Sequence, residues 1–285
     1  MRVVSTVAEL REARQDFPNL GFVPTMGFLH EGHISLVRAA KARMGAVAVS
    51  IFVNPTQFAP TEDLSRYPRD LDRDLTLLSE AGCDLVFTPG ADEVYPAGFS
   101  TRVEVDGVTS PLEGAVRPGH FSGVATVVLK LFNMVQPDAA WFGQKDAQQC
   151  AVLRRMAADL DLPVEIVVAP TVREADGLAM SSRNVYLGSE DRAAAVVLIR
   201  ALTAAEAAFE TGERDADGLR ALMTSLLQGE PRGVPDYVSI ADPDTLQELQ
   251  TVDERGAVAS LALRFGKTRL IDNLLLGDAR QKWLR

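Results

Sequence analysis

The segment AVAVSIFV at 46–53 constrains the fold more than any other part of the chain. It is a continuous run of small, apolar and β-branched residues with no polar alternation. Such a run reads as a strand buried on both faces, which in turn demands helices above and below it. The neighbouring sequence supplies them. A short apolar strand is expected at 20–23, ended by Pro24, and Ile34, Val37, Ala40 and Met44 then recur at helical spacing. Leu71, Leu75 and Leu78 mark another helix that stops near Gly82, and CDLVFT at 83–88 reads as the next strand. A helix is expected at 123–135, a strand at 139–142, a helix at 145–160 and a strand at 164–169 closed by Pro170. TRVEV at 101–105 reads as a short strand outside this alternation. Strand–helix alternation argues for an α/β fold, a Rossmann-like doubly wound parallel sheet.

After about residue 171 the rhythm changes. Alanine- and leucine-rich helices are expected at 189–210, with Ser189 as N-cap, and at 214–227. Strands follow at 237–241, 258–264 and 268–271. Helices followed by adjacent strands suggest a smaller C-terminal α+β domain, so the chain divides into domains 1–171 and 172–285. Acids outnumber bases 39 to 29, for a net charge of −10. A broad nucleic-acid or anionic-membrane surface is therefore not expected, although a local basic pocket is compatible. The two cysteines, Cys83 and Cys150, form no CxxC, and no apolar run reaches membrane-spanning length. The chain reads as cytoplasmic.

PTMGFLHEGH at 24–33 follows a strand and opens a helix. Exposed N–H groups and the positive dipole end make such a junction an anion site. His30 and His33 share one face of the first helical turn there, and Gly27 and Gly32 allow close approach to the backbone. A bare HxxH also suits a solvated helix start, or a metal site that lacks an evident third ligand. The third histidine of the chain, His120, sits in another glycine-bearing turn, RPGHFSG at 117–123. Gly143, Gln144, Lys145 and Asp146 leave the 139–142 strand, where open α/β sheets bind ligands. A lysine at a helix start opposes the dipole unless an anion is bound. Ser181, Ser182 and Arg183 offer a row of donors to phosphate, or an ordinary polar linker. Asn54 and Gln57, on the segment leaving the 46–53 strand, suit a small polar substrate. GKT at 266–268 is discarded as a P-loop, because position 261 is Leu261 rather than glycine.

Taken together, PTMGFLHEGH, FVNPTQF (52–58), YPRD (67–70), RPGHFSGV (117–124), GQKDAQQ (143–149), PTVREADGLAMSSRN (170–184) and RLIDN (269–273) resemble the pantothenate synthetase family, across essentially the whole chain. That family is similar in turn to the HIGH-type nucleotidyl transferases, with HEGH in the place of HIGH. The resemblance implies a reaction. Pantoate and ATP form pantoyl-adenylate and pyrophosphate, and the amine of β-alanine then displaces AMP. It also implies Mg²⁺, a homodimer, and a C-terminal lid domain that closes over the site. It places Met26, Gly27, Phe28, Leu29, His30, Glu31, Gly32 and His33 around ATP, with His30 and His33 on the phosphates and His33 as the acid. It adds Gly143, Gln144, Lys145, Asp146, Val172, Met180, Ser181, Ser182 and Arg183 to the ATP site, and gives pantoate to Gln57 and Gln149. Gln144 stands where the family commonly has Glu. A different acid substrate, or a nucleotide sensor without catalysis, is the competing expectation.

Overall fold

The computed structural model describes residues 1–58, 64 and 67–284. The chain forms two compact units, 1–143 with 149–169, and 144–148 with 170–285.

The first unit holds six parallel strands: β1 (Arg2–Val4), β2 (Gly21–Thr25), β3 (Val47–Ile51), β4 (Leu85–Phe87), β5 (Ala139–Gly143) and β6 (Glu165–Ala169). Their order across the sheet is β1-β4-β3-β2-β5-β6. From β2 the chain builds outward through β3 and β4 and later builds the other way through β5 and β6. The order therefore reverses between β2 and β5, and the carboxyl ends of these strands flank the crevice in which doubly wound sheets bind ligands. Helices α1 (Val7–Arg14), α2 (Glu31–Met44), α3 (Leu71–Glu80), α4 (Ala91–Val94), α5 (Glu113–Val116), α6 (His120–Val135) and α7 (Ala147–Asp159) follow the strands.

Alternation along β2 sends adjacent residues to opposite faces. Val23 joins Ile34, Val37 and Ala40 of α2 and Leu78 of α3 in one buried cluster. Phe22 meets Phe132 of α6 edge-on, and Phe132 meets Phe142 in the same way, on the other face. Thr6 and Glu9 close a capping box on α1, and Gly45 ends α2 at φ 80°. Cys83 and Cys150 are free and buried. Burial pushes the Cys83 thiol up to about 12, which makes it an inert packing residue.

The second unit packs α8 (Ser189–Ala194), α9 (Val197–Glu210) and α10 (Ala216–Gln228) with an antiparallel sheet of β7 (Gly233–Ala241), β8 (Ala257–Phe265) and β9 (Thr268–Leu276), and ends in α11 (Ala279–Trp283). Leu198, Leu202 and Ala205 of α9 and Leu219 and Met223 of α10 bury against Leu261, Leu263 and Phe265 of β8. A register shift between Pro235 and Tyr237 leaves Asp236 unpaired in the β7 ladder. Its carboxylate accepts from Arg264 (3.0 Å) and Arg269 (2.5 Å), and so ties all three strands at one end.

Several local expectations are corrected. Residues 101–105 form no strand, and the Val103 N–H is spent on the Thr126 hydroxyl of α6 instead of on a sheet neighbour. Pro24 does not end β2, which runs on to Thr25. Strand β5 pairs with β2 only at Gly21 and Phe22, so beyond that point β2 is paired on one side and a missing N–H is tolerable. The 189–210 helix breaks between Ala194 and Val197, and Ser189 is its first helical residue behind Gly188. Helix α6 starts at His120, earlier than its apolar stripe, and α7 is preceded by a 3-10 turn at Gln144–Asp146. Strands β7 and β9 both extend beyond their apolar cores.

Gly123 of α6 lies against the backbone of residues 56 and 57. A Cβ there would sit 2.4 Å from the Thr56 carbonyl oxygen and 2.7 Å from the Gln57 nitrogen. Gly123→Ala is expected to cost about 1–3 kcal/mol by forcing that turn aside, read as a lower midpoint in chemical denaturation; an unchanged midpoint would contradict the close packing. Burial alone would raise the Asp236 carboxyl, but Arg269 and Arg264 outweigh it and hold the group below the usual carboxylate range. Its stabilisation is therefore complete above the ordinary carboxylate pKa of about 4 and is lost as pH falls through the lowered value. In thermal melts between about pH 6 and pH 3, Asp236→Asn should lose less Tm on acidification than the parent chain; equal losses would remove Asp236 from the acid response.

Candidate active site

The β2–α2 junction is built from the backbone outward. The Thr25 hydroxyl donates to the Ser50 carbonyl (2.7 Å) and accepts the Gly27 N–H (3.3 Å), which turns the chain off the sheet. Gly27 then takes φ 83° and Phe28 φ 52°. A side chain at position 27 would be strained by that φ, and its Cβ would lie 3.0 Å from Ile51 Cγ2 and 3.1 Å from Asp74 Oδ2. Asp74, on α3, accepts the Phe28 N–H and the Leu29 N–H at 2.7 Å each. Leu29 is buried, while Met26, Phe28, His30, Gly32 and His33 are half-buried and Glu31 is exposed. Glu31 pairs with Arg38.

His30 is the N-cap of α2. Its Nδ1 accepts the Gly32 N–H (3.2 Å), and His33 Nδ1 accepts the His30 N–H (3.3 Å). The rings stand 4.1 Å apart, centroid to centroid. An Nδ1 that accepts carries no proton, so this bonding pattern assigns each neutral ring its proton on Nε2. Two Nε2–H donors thus sit beside the positive end of a 14-residue helix, an arrangement suited to phosphate oxygens.

Gln57 lies on a 3-10 turn, Pro55–Gln57, that Asn54 holds. Asn54 is buried. Its Nδ2 donates to Gln57 Oε1 (3.0 Å) and the Gly123 carbonyl (3.2 Å). Its Oδ1 accepts from the Thr56 N–H and hydroxyl and from the Tyr95 hydroxyl (2.8 Å). The carboxamide of Asn54 is thereby spent on building the turn, and Gln57 is the amide presented beyond it. Gln57 Nε2 reaches Met26 Sδ at 3.1 Å, joining this turn to the β2–α2 junction. His120 Nδ1 lies 2.9 Å from the Gln57 carbonyl, and Arg117 lies 3.0 Å from His120 Nε2. A cleft of about 900 Å³ opens here, lined by Gln57, Tyr95, Arg102, Arg117, His120 and Thr126 among others. Burial raises the Tyr95 phenol above its ordinary pKa, which keeps it a neutral donor to Asn54. Gln149 is half-buried on α7 in this unit.

In the second unit, Asn273 of β9 pins the 144–146 turn. Its Nδ2 donates to the carbonyls of Gln144 (3.0 Å) and Lys145 (2.9 Å), and its Oδ1 accepts from Gln144 Nε2 (3.1 Å). Gln144 is buried in this exchange, and its side chain acts as a neutral donor within the turn. The Lys145 side chain is 17% exposed, 3.5 Å from Asp146. Asp272, next to Asn273, takes a two-point ion pair from Arg173 (2.7 and 3.0 Å). The Met180 N–H donates to the Val172 carbonyl (3.0 Å), so these two segments run side by side. Ser181 caps the short 182–186 turn by accepting the Arg183 N–H, and Asn184 anchors that turn on Glu174 and Ala179. Arg192 holds Glu174 and Asp176 in place.

The structure thus gathers Met26, His30, His33, Asn54 and Gln57 in one unit, and Gln144, Lys145, Val172, Met180 and Arg183 in the other. Asp74, Tyr95, Arg173 and Asn273 escaped the sequence reading. Asp74 had a visible signal: with Leu71, Leu75 and Leu78 it occupies one helical stripe, where a carboxylate is out of place. Asn273 had none beyond its place in RLIDN.

The sequence profile of the Pantoate-beta-alanine ligase family matches residues 2–275. The pantothenate synthetase of Herpetosiphon aurantiacus is 63% identical over 97% of this chain and 100% of its own length. That of Chloroflexus aurantiacus is 62% identical over 97% of this chain and 98% of its own length. The crystal structure of the pantothenate synthetase from Thermus thermophilus superposes with a TM-score of 0.92 at 54% identity, covering 96% of this chain and 99% of the other. The ligase from Francisella tularensis, crystallised with a β,γ-ATP compound and β-alanine, gives a TM-score of 0.78 at 34% identity over 96% of this chain and 97% of its own. Such full-length likeness in sequence and structure makes the chain a member of the pantoate–β-alanine ligase family.

Proposed function

We propose that this ligase joins pantoate to β-alanine in two steps, with ATP as co-substrate. A pantoate carboxylate oxygen attacks the α-phosphorus of ATP and pyrophosphate leaves, giving pantoyl-adenylate. The β-alanine nitrogen then attacks the acyl carbon and AMP leaves, giving pantothenate. A carboxylate alone is a poor acyl donor because oxide is a poor leaving group, and adenylation replaces oxide with AMP. The observation that carries this reading is the imidazole pair of His30 and His33, with ring centroids 4.1 Å apart at the start of α2, at the sheet's reversal point.

In the first step negative charge grows on the α-phosphate and on the departing pyrophosphate. Fixed donors and cations lower that barrier without a protein nucleophile. His30 and His33 serve as hydrogen-bond donors to the phosphates, and Lys145 and Arg183 supply the cations. Residues 26–33, Gly143, Gln144, Asp146, Val172, Met180, Ser181 and Ser182 shape the nucleotide site, and Gln57 and Gln149 hold pantoate by their amides. Asn54 contributes by fixing the Gln57 turn. A C-terminal domain, taken as 172–285, has a chemical purpose as a lid, since an exposed acyl-adenylate hydrolyses.

The Mg²⁺ implied by the family resemblance does not find a protein cage: among the described residues no three His, Cys, Asp or Glu side chains gather as ligands. Among those residues no helix is long and apolar enough to cross a membrane. A cytoplasmic homodimer completes the proposal.

Purified protein given pantoate, β-alanine and ATP should yield pantothenate and AMP by mass spectrometry; ADP as the sole nucleotide product would refute adenylation. His33→Ala and Lys145→Ala should each slow pantoate-dependent ATP–pyrophosphate exchange by roughly 10²-fold or more, the scale of one lost electrostatic stabiliser. Exchange close to that of the parent chain in both would remove these roles. Gln57→Ala should weaken pantoate far more than ATP in binding titrations, and equal weakening of the two ligands would count against it.

A further inference from the structure

The turn that presents His30 and His33 does not hold itself. Phe28 stands at φ 52°, in the left-handed region, directly after Gly27 at φ 83°. For a residue with a Cβ that conformation costs about 1–2 kcal/mol, and it persists only where the surroundings enforce it. Enforcement comes from Asp74. The carboxylate is 1% exposed, and its two oxygens receive the two consecutive N–H groups that follow Gly27, one oxygen each, at 2.7 Å. These are short, charge-assisted bonds. They fix the direction of the peptides at 28 and 29, and the next residue is the N-cap histidine, whose own N–H is held by His33 Nδ1.

Two further features act on the same turn. Arg73 places its guanidinium 5.3 Å from the Phe28 ring centroid and 3.7 Å from Asp74 Oδ1, closing over the turn from the solvent side. Gly27 leaves just enough room, since a Cβ there would approach Asp74 Oδ2 to 3.1 Å. Asp74 and Leu78 are the two buried residues of α3. A leucine at position 74 would continue the stripe and avoid the cost of burying a carboxylate. That cost is visible in the group itself: burial raises its pKa, and the N–H bonds of Leu29 and Phe28 only partly oppose the rise.

We infer that Asp74 is a positioning residue for adenylation, holding the 27–29 turn so that the His30 and His33 imidazoles face the transferring phosphate. The inference rests on the proposed adenylating role of that pair. Asp74 acts through the histidines, so its removal should reduce the rate of the chemical step more than it weakens pantoate binding.

Pantoate-dependent ATP–pyrophosphate exchange on the full chain tests this. Asp74→Ala should lower kcat roughly tenfold to a hundredfold, the scale of an ångström's misplacement, with KM for pantoate within about threefold. In the His30→Ala/His33→Ala background the same substitution should cost less than about threefold, because it acts through groups already removed. Asp74→Asn keeps one acceptor and turns an NH₂ against the other N–H, and should fall between the parent and Asp74→Ala. If Asp74→Ala does not fold, Asp74→Asn and its combination with the double histidine variant carry the test. A multiplicative loss in the His30→Ala/His33→Ala background, or unimpaired exchange in folded Asp74→Asn, would overturn the inference. A parent chain with no pantoate-dependent exchange would instead sink the adenylation reading itself, so the two failures are distinguishable.

Discussion

Two consecutive backbone N–H groups, those of Phe28 and Leu29, end on the two oxygens of one buried carboxylate. The rest of the histidine site depends on this pairing. A left-handed turn between a strand and a helix leaves its peptide dipoles unpaired in a partly buried place, and unpaired buried donors are costly. Asp74 satisfies them and sets the angle at which α2 leaves the sheet. The helix then begins with His30 and His33 receiving backbone N–H groups on Nδ1, so the capping that starts the helix also orients the rings.

The second unit solves the complementary problem. Its 144–146 turn exposes carbonyl oxygens, and there the partner must be a donor. Asn273 supplies one NH₂ to two carbonyls and offers its oxygen to the Gln144 amide. An acid collects donors in one unit, and an amide collects acceptors in the other. Gln144 is thereby explained as part of a neutral amide exchange: its buried carboxamide donates to an oxygen that requires a donor. The Arg173–Asp272 ion pair beside it stiffens the base of this arrangement, with Asp272 almost wholly buried.

A chain of net charge −10 thus places its positive potential locally. In the first unit the start of α2 and the imidazoles of His30 and His33 supply it, without a basic surface. The cleft beside Gln57 follows the same economy. Asn54, Tyr95 and the Gly123 carbonyl lock one turn, and Gln57, Arg117 and His120 face the space it leaves.

Periodicity and strand–helix alternation determined the α/β class, the central strands and the two long helices of the second unit, because burial on one face or on two imprints a period that local sequence must carry. The junction PTMGFLHEGH was legible for the same local reason: strand end, glycines and histidines are contiguous in the chain. Tertiary structure decided the remainder. Whether 101–105 pairs as a strand depends on a distant hydroxyl, that of Thr126, and Pro24 is tolerated within β2 because β5 stops pairing at Phe22. Asp74 lies 45 and 46 residues from the N–H groups it accepts, and Asn273 lies 128 and 129 residues from the carbonyls it serves. A hydrogen bond has no sequence period when its partners are brought together only by packing, so residues that act by such bonds stay silent until the chain is folded.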